Sequence, residues 1–184
     1  TLPSMAEFIY RGAVRFCPIC DGFEAQDRRI GVLGPVRRVL SKAKFLRTYT
    51  RDIVILATDK DLDISAEDRA ICAALDIPIP SEPVADVTVR GEAVTAVMAS
   101  GARIELAVLY PALGAEVRSQ LATDLGAEAN AEGCLLVDRF QRTSVANLHA
   151  AGDVTYDLSQ ISVATGQAAV AATDMHNSLP PNPR

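Results

Sequence analysis

Arg29-Ile30-Gly31-Val32-Leu33-Gly34 is the stretch that decides the fold. Its apolar run, closed by a glycine, is typical of a strand that is buried on both faces. Apolar residues then recur at helical spacing from Val36 to Thr48, and Ile53-Val54-Ile55-Leu56-Ala57 is a second buried run. A strand, a helix and a strand in this order predict a βαβ unit with parallel strands.

The helix between these strands is predicted to present a basic, solvated outer face. That face would be formed by Arg37, Arg38, Lys42, Lys44 and Arg47. Farther along, Ser65 followed by Asp68 predicts a capped helix that reaches Leu75. The pattern then predicts three short antiparallel strands over 84–90, 93–99 and 102–106, and a further strand over 106–113.

We expect a boundary between two lobes at Gly114. The second lobe is predicted to contain a helix over 117–125 with Gly126 after its end. It is also predicted to contain strands over 133–138 and 148–153 and a long helix over 158–178.

Composition narrows the class of protein. The chain has 184 residues, 49% of them hydrophobic, which is enough for one large or two small lobes. Lys and Arg number 18 against 23 Asp and Glu, a net charge of −5, so we expect no general nucleic-acid binding. No apolar run is long enough to cross a membrane, and Glu7 and Arg11 interrupt the region where a signal peptide would lie. We therefore expect a cytoplasmic protein.

Phe16-Cys17-Pro18-Ile19-Cys20-Asp21-Gly22-Phe23 carries the most informative chemistry. Residues three apart share one helix face, so Cys17 and Cys20 can form a disulfide or a dithiol. Proline suits the first turn of a helix, and the positive end of the helix dipole favours a thiolate at Cys17. Asp21 can pass a proton to or from a sulfur during thiol–disulfide exchange.

A redox pair is the favoured interpretation of this motif, and a zinc site or an inert pair are the alternatives. A structural zinc site needs four ligands. The remaining cysteines and histidines lie outside metal-binding spacing with the pair: Cys72, Cys134, His149 and His176. We therefore predict no metal.

The turn after the first strand, Gly34-Pro35-Val36-Arg37-Arg38-Val39, is where a dinucleotide fingerprint would lie. Of the three small residues in G-x-G-x-x-G, only Gly34 is present. Val36 places a β-branched side chain where a phosphate would lie, and Pro35 removes an N–H donor. The second strand ends without an arginine cluster for a 2′-phosphate, so the sequence disfavours NADP(H) binding in the usual manner.

Small residues dominate the helix predicted over 158–178, so a flat ligand or another backbone can approach it closely. Its N-terminus offers N–H donors and positive potential, which suits the N1 and O2 region of a reduced flavin. Asp153, in the preceding loop, can accept hydrogen bonds from sugar or ribitol hydroxyls. An alanine-rich helix packed tightly in a core is the alternative.

Two motifs together, Cys17 to Phe23 and Ala150-Ala151-Gly152-Asp153 followed by Gln160, resemble the thioredoxin reductase branch of the flavin-dependent pyridine nucleotide–disulfide oxidoreductases. The resemblance implies an α/β fold, with a three-layer Rossmann-like domain plus the C-terminal part of an FAD-binding domain. It implies a linker over 1–12, an NADP(H)-type domain over 13–113 and the FAD-binding portion over 114–184. The first FAD-binding section has no counterpart here.

The resemblance also assigns roles to residues. Cys17 and Cys20 would be the redox disulfide, the second cysteine would meet the flavin, and Asp21 would be the proton donor. Asp153 would contact the ribitol chain, and the start of the last helix would approach the flavin ring. The predicted cofactor-binding residues are Gly34, Gly152, Asp153, Gln160 and Ile161.

The prediction is a thioredoxin reductase-like, homodimeric enzyme with FAD as its cofactor. Electrons would pass from reduced FAD through the Cys17–Cys20 disulfide to a partner disulfide, such as that of a thioredoxin-like protein. The sequence disfavours NADPH as the donor, because the glycine turn and the arginine motif are degenerate and because Ser159 replaces an arginine frequent in the family. The alternatives are a non-catalytic, flavoprotein-like interaction module and a flavin enzyme of the ferredoxin–NADP reductase type.

Overall fold

The computed structural model describes residues 5–59, 64–79, 81–90 and 93–180. The chain divides into two compact units, with the division after Gly114. The helices are α1 (Met5–Tyr10), α2 (Pro18–Asp21), α3 (Val36–Leu46), α4 (Ala66–Ala74), α5 (Gln120–Asp124) and α6 (Ile161–Ser178). The strands are β1 (Ile30–Gly34), β2 (Ile53–Ala57), β3 (Val84–Arg90), β4 (Ala93–Met98), β5 (Arg103–Leu106) and β6 (Val108–Pro111).

A parallel sheet lies at the centre of the first unit. β1 is its middle strand, and both β2 and β6 run parallel to it. Ile30 pairs with Ile53 on one side and with Val108 on the other. Because α3 connects β1 to β2, the predicted βαβ unit is confirmed.

Two hydrophobic clusters cover the two faces of this sheet. On one face, the buried side of α3 packs against sheet residues such as Val32 and Ile55. On the other, Val94 and Met98 of β4 belong to the same cluster as Leu33 and Leu109 of the sheet. β3, β4 and β5 form the predicted antiparallel meander. Helix, sheet and meander give the predicted three layers.

Residues 106–113 do not form the single predicted strand. β5 ends at Leu106 within the meander, and β6 begins at Val108 within the parallel sheet. The chain changes sheet at Ala107, whose N–H donates to the carbonyl oxygen of Arg29 at 2.9 Å. An apolar run shows that both segments are buried but not that they belong to different sheets.

The second unit contains no named strand among its described residues, so the strands predicted over 133–138 and 148–153 are wrong. These stretches form isolated bridges instead, which join Leu135 to Ala129 and Thr155, and His149 to Arg142. Short apolar runs of this kind do not by themselves distinguish a strand from an extended loop.

Helix ends in the chain follow local capping chemistry. Ser65 caps α4 as predicted, because its Oγ accepts the N–H of Asp68 at 3.1 Å. Gly126 follows α5 with a φ of 93°, a conformation that favours glycine. α6 begins at Ile161 rather than at 158, because the Asp157 carboxylate accepts the Leu158 N–H at 2.7 Å and the chain is still a loop there.

Asp174 on α6 joins that helix to the preceding loop. Its carboxylate accepts two hydrogen bonds from the Arg142 guanidinium, and its Oδ2 lies 2.8 Å from His149 Nε2. The bonds from Arg142 and then from His149 lower the pKa of Asp174 to about 2. The ionised carboxylate therefore stabilises the folded second unit.

Asp174→Asn is expected to remove an acid-sensitive part of this stability. A carboxylate whose folded pKa is depressed stabilises the fold above its unfolded pKa of about 4, and this contribution is lost as the pH falls toward the folded pKa of about 2. Thermal unfolding at a series of pH values should show the wild-type advantage shrinking across that window. Glu116→Gln, which changes an exposed carboxylate of the same unit, should follow the wild type. A constant difference between wild type and Asp174→Asn at every pH would contradict this account.

Candidate active site around the cysteine pair

The cysteine motif lies at the carboxyl edge of the parallel sheet. Val14 bridges to Leu109 of β6 in the parallel sense. The Arg15 N–H donates to the Leu109 carbonyl, and the Leu109 N–H donates to the Ala13 carbonyl, each at 2.9 Å. The chain therefore leaves this pairing at the edge where β1, β2 and β6 end. Ligands of open α/β sheets bind outside this edge.

Cys17 and Cys20 are joined by a disulfide across α2, with their Cα atoms 5.3 Å apart. Cys17 is the N-cap residue of this helix, with an extended backbone, and Pro18 occupies the first helical position. α2 spans four residues and is followed by a 3₁₀ turn, Gly22–Ala25. The predicted helix is therefore one turn long, which limits the dipole available to the sulfur of Cys17.

Asp21 is held through both its side chain and its main chain. The hydroxyl of Tyr110 donates to Asp21 Oδ1 at 2.7 Å, and Arg15 Nη1 donates to the Asp21 carbonyl oxygen at 2.9 Å. Burial, and then the hydrogen bond and charge of Asp21, raise the pKa of Tyr110, so the phenol keeps its proton at neutral pH. The acid beside Cys20 in sequence is therefore held by a residue of β6.

Lys42 fastens the cysteine loop to β6. Its ammonium donates to the carbonyl oxygens of Phe16 at 3.1 Å and Pro111 at 2.7 Å. Burial lowers the pKa of Lys42, and the charge of Asp21 partly opposes this effect. The prediction that the basic face of α3 is solvated is therefore wrong at Lys42. It is also wrong at Arg47, whose guanidinium donates to the Leu75 carbonyl at 2.6 Å.

The sequence analysis missed Tyr110 and Lys42. A signal for Tyr110 was present, because a tyrosine inside a buried strand needs a partner for its hydroxyl. No comparable signal identifies Lys42, since its spacing along α3 is that of its basic neighbours.

Apolar side chains surround the disulfide on its solvent side. Cys20 is exposed and Cys17 is half-buried. Phe16, Ile19 and Phe23 are 48%, 62% and 75% exposed. Large exposed apolar residues next to a reactive group are typical of a docking surface for another protein.

The turn after β1 is filled by the protein itself. Asp59, just beyond β2, accepts the N–H of Val36 at the start of α3, with 2.7 Å between the Asp59 Oδ2 and Val36 N atoms. Pro35 has no N–H to offer. The carboxylate therefore occupies the position at this helix N-terminus where a phosphate would bind.

A close contact with neighbouring backbone requires glycine at position 34. Its φ is 152°, and a Cβ on it would lie 2.7 Å from the carbonyl oxygen of Ala112. The glycine therefore permits close approach of the chain after β6, whether or not a nucleotide binds.

Four of the predicted cofactor-binding residues lie in the second unit. Gly152 has a φ of 80°, and its N–H donates to Gln167 Oε1 of α6 at 2.7 Å. Gln167 Nε2 in turn donates to Asp157 Oδ2 at 2.9 Å. This buried amide, which the sequence analysis missed, connects the glycine loop to the helix.

The start of α6 is open to a ligand. Gln160 is its N-cap residue and makes no side-chain cap to the helix. Asp153 is exposed, and Ile161 is 85% exposed. Gly152 lies close to the helix, because a Cβ on it would be 3.4 Å from that of Ala164. An exposed helix start with a small residue packed close to it is what the flavin-side prediction requires.

Residues 43–168 match the pyridine nucleotide-disulphide oxidoreductase family. The match spans well over half of the chain, so the chain belongs to this family of oxidoreductases. A curated relative, a probable thioredoxin reductase from Arthroderma benhamiae, is 38% identical over 52 residues, which are 28% of this chain and 13% of that protein.

Solved structures extend this relationship over nearly the whole chain. The crystal structure of HlmI is 25% identical with a TM-score of 0.83, over 96% of this chain and 56% of that one. The atypical thioredoxin reductase TRi from Desulfovibrio vulgaris Hildenborough is 29% identical with a TM-score of 0.56, over 96% of this chain and 59% of that chain. A putative thioredoxin reductase, TrxB from Bacillus anthracis, is 24% identical with a TM-score of 0.79 and shares the fold. This chain thus spans less than two thirds of the length of each of these relatives.

Neither a membrane span nor a metal cluster occurs among the described residues. None of the helices in this part of the chain is long and apolar enough to cross a membrane. No group of three or more His, Cys, Asp or Glu side chains in the same residues is arranged to hold a metal ion.

Gly34→Ala is expected to lower the free energy of unfolding by roughly 2 kcal/mol or more, because it combines an unfavourable φ with a clash against backbone. Gly101→Ala is the matched control: Gly101 has a φ of 87°, but no atom lies within 4 Å of the position that a Cβ would take. It should cost only about 1 kcal/mol, from the backbone conformation alone. Urea unfolding measures both values, and equal losses would contradict the role given to the Ala112 carbonyl.

Proposed function

We propose that this chain is the disulfide-bearing part of a thioredoxin reductase-like, FAD-dependent disulfide oxidoreductase. The observation that carries the proposal is the Cys17–Cys20 disulfide at the carboxyl edge of the sheet, with Asp21 next to it. In such an enzyme the pair alternates between a disulfide and a dithiol. The partner would be a disulfide-containing protein such as a thioredoxin-like protein.

The residues of the second unit fit the pyrimidine end and ribitol chain of FAD. Gly152 and Asp153 would contact the ribitol, and Gln160 and Ile161 would meet the flavin ring at the start of α6. The N–H groups of an 18-residue helix suit the negative charge of a reduced flavin. When bound, FAD would supply the electron pair that reduces the disulfide.

The residues of the first unit do not fit NADPH. The Asp59 carboxylate already accepts the Val36 N–H, and a dinucleotide phosphate would meet that negative charge. The proposal therefore includes no step through NADPH, and the electron donor is of another kind.

In exchange with a partner, the apolar side chains of Phe16, Ile19 and Phe23 would contact the partner's surface. Asp21 would take the proton that a thiol must lose before it attacks a disulfide. Lys42 would keep the loop attached to β6 while the disulfide opens, because it bonds main-chain carbonyls that both redox states retain.

The proposal assigns 13–113 to a domain of the NADP(H) type and 114–184 to the C-terminal part of an FAD-binding domain, with 1–12 as a linker. It also includes a homodimer that works in the cytoplasm. These assignments rest on the relationship to thioredoxin reductases.

A single-turnover transfer tests the proposal. The reduced chain, freed of reductant, is mixed with an oxidised thioredoxin, and thiols are counted by alkylation and gel shift. We expect close to one thioredoxin disulfide reduced per chain, and loss of the transfer in Cys17→Ser and Cys20→Ser. Cys134→Ser, which changes a thiol outside the disulfide, is the control and should transfer normally.

FAD binding is measured separately by quenching of flavin fluorescence. A chain that neither transfers electrons nor quenches FAD would support the alternative, a non-catalytic interaction module. The occupied turn after β1 is the observation that favours that alternative.

NADPH is expected to show no saturable fluorescence change when it is titrated with the chain, because the Asp59 carboxylate holds the Val36 N–H and repels a phosphate there. Combining Val36→Gly with Asp59→Asn removes both the branched side chain and the competing charge, and should introduce weak, saturable binding. Asp52→Asn, at a carboxylate near the opposite end of β2, is the control. Tight NADPH binding by the wild type would contradict the misfit.

A further inference from the structure

Tyr110 in the first unit carries a hydroxyl group that its packing does not explain. Its side chain is 0% exposed and lies in the cluster on the α3 side of the sheet. The phenol oxygen nevertheless reaches Asp21 Oδ1 at 2.7 Å, 89 residues away in sequence. A phenylalanine would fill the same space, so packing alone does not require the hydroxyl.

The direction of this hydrogen bond is fixed. Burial and the neighbouring Asp21 carboxylate raise the pKa of the phenol, so Tyr110 is the donor and Asp21 the acceptor throughout the physiological pH range. Donation to a charged oxygen is stronger than donation to a neutral one. The bond therefore fixes the orientation of the carboxylate through its Oδ1 atom.

Two cationic side chains near Asp21, those of Arg15 and Lys42, donate to main-chain carbonyl oxygens. Arg15 donates to the Asp21 carbonyl oxygen and forms an ion pair with Glu24 at 2.9 Å. Lys42 donates to the carbonyls of Phe16 and Pro111, and its positive charge interacts with the Asp21 carboxylate through the Coulomb field. The phenol of Tyr110 contacts the carboxylate itself.

We propose that Tyr110 is a positioning residue for thiol–disulfide exchange, whose hydroxyl orients the Asp21 carboxylate and keeps it able to accept the proton of Cys20. The inference rests on the proposed function, because it concerns the same disulfide. It adds a residue of β6 to the site.

The step that Tyr110 supports is the closing of the Cys17–Cys20 disulfide. Cys17 is first joined to one sulfur of the partner, and the partner's other sulfur has left as a thiolate. The Cys20 thiol gives its proton to Asp21 and attacks Cys17 Sγ. The Cys17–Cys20 bond forms, and the bond to the partner breaks. The partner leaves as a dithiol after taking two protons, and the pair is oxidised by two electrons.

The rate of this closing step, compared between single and double variants, tests the proposal without flavin or protein partner. Reduced chain with Cys134→Ser is mixed with 5,5′-dithiobis(2-nitrobenzoate), and mass spectrometry establishes that the mixed disulfide is on Cys17. Release of the second nitrothiophenolate then reports ring closure. We expect Tyr110→Phe to slow ring closure roughly tenfold, because the Asp21 carboxylate loses the donor that orients it.

Tyr49→Phe is the matched control. Its ring packs against Gly22, next to Asp21, so it loses the same atom from a nearby tyrosine. Its closing rate should match that of the wild type. Asp21→Asn should also slow closing, and adding Tyr110→Phe to Asp21→Asn should slow it no further.

Two results would overturn the proposal: a Tyr110→Phe closing rate that matches the wild type, or a slowing by Tyr110→Phe that persists in the Asp21→Asn background. If Tyr110→Phe does not fold, 3,5-difluorotyrosine at position 110 changes the strength of the donor and should alter the closing rate in the wild-type background but not in the Asp21→Asn background. A chain whose closing rate depends on Tyr110 in this way but that does not reduce thioredoxin would refute the proposed function and leave the role of Tyr110 intact.

Discussion

The parallel pairing of Val14 with Leu109 is the constraint on which the site depends. It adds the segment before the cysteines to the edge of the sheet beside β6, so the next residues emerge where the parallel strands end. The following residues of β6, Tyr110 and Pro111, then lie beside the motif. They supply the hydroxyl that binds Asp21 and the carbonyl that binds Lys42. A single strand therefore determines both where the disulfide lies and what surrounds it.

Local patterns were sufficient to predict the framework. β1, β2 and α3 follow from two uninterrupted apolar runs and from helical spacing between them. The Cys17–Cys20 pairing follows from a spacing of three residues, which places both sulfurs on one face of a turn. Ser65 identified the start of α4 because a cap acts within one turn of the chain. In each case the residues that decide the structure are neighbours in sequence.

Such local patterns could not predict interactions between residues that are far apart in sequence. The hydrogen bond from Tyr110 to Asp21 spans 89 residues, and that from Lys42 to Pro111 spans 69. Lys42 looked like part of a solvated face because periodicity identifies a helix but does not show which loop covers it. The strands predicted around Leu135 and His149 failed for a related reason. Their apolar residues pair singly with separate loops, and no continuous neighbouring strand completes a ladder among the described residues of that unit.

The hydrogen bond between Asp59 and Val36 has a consequence for how α3 is stabilised. A carboxylate attached to the same chain acts as an intramolecular ligand, with an effective concentration of roughly millimolar or more. Any dissolved anion must outcompete it before gaining the N–H of this helix. The Val36 N–H is thereby paired without any dissolved anion, and this hydrogen bond at the start of α3 does not depend on the supply of nucleotides around the protein.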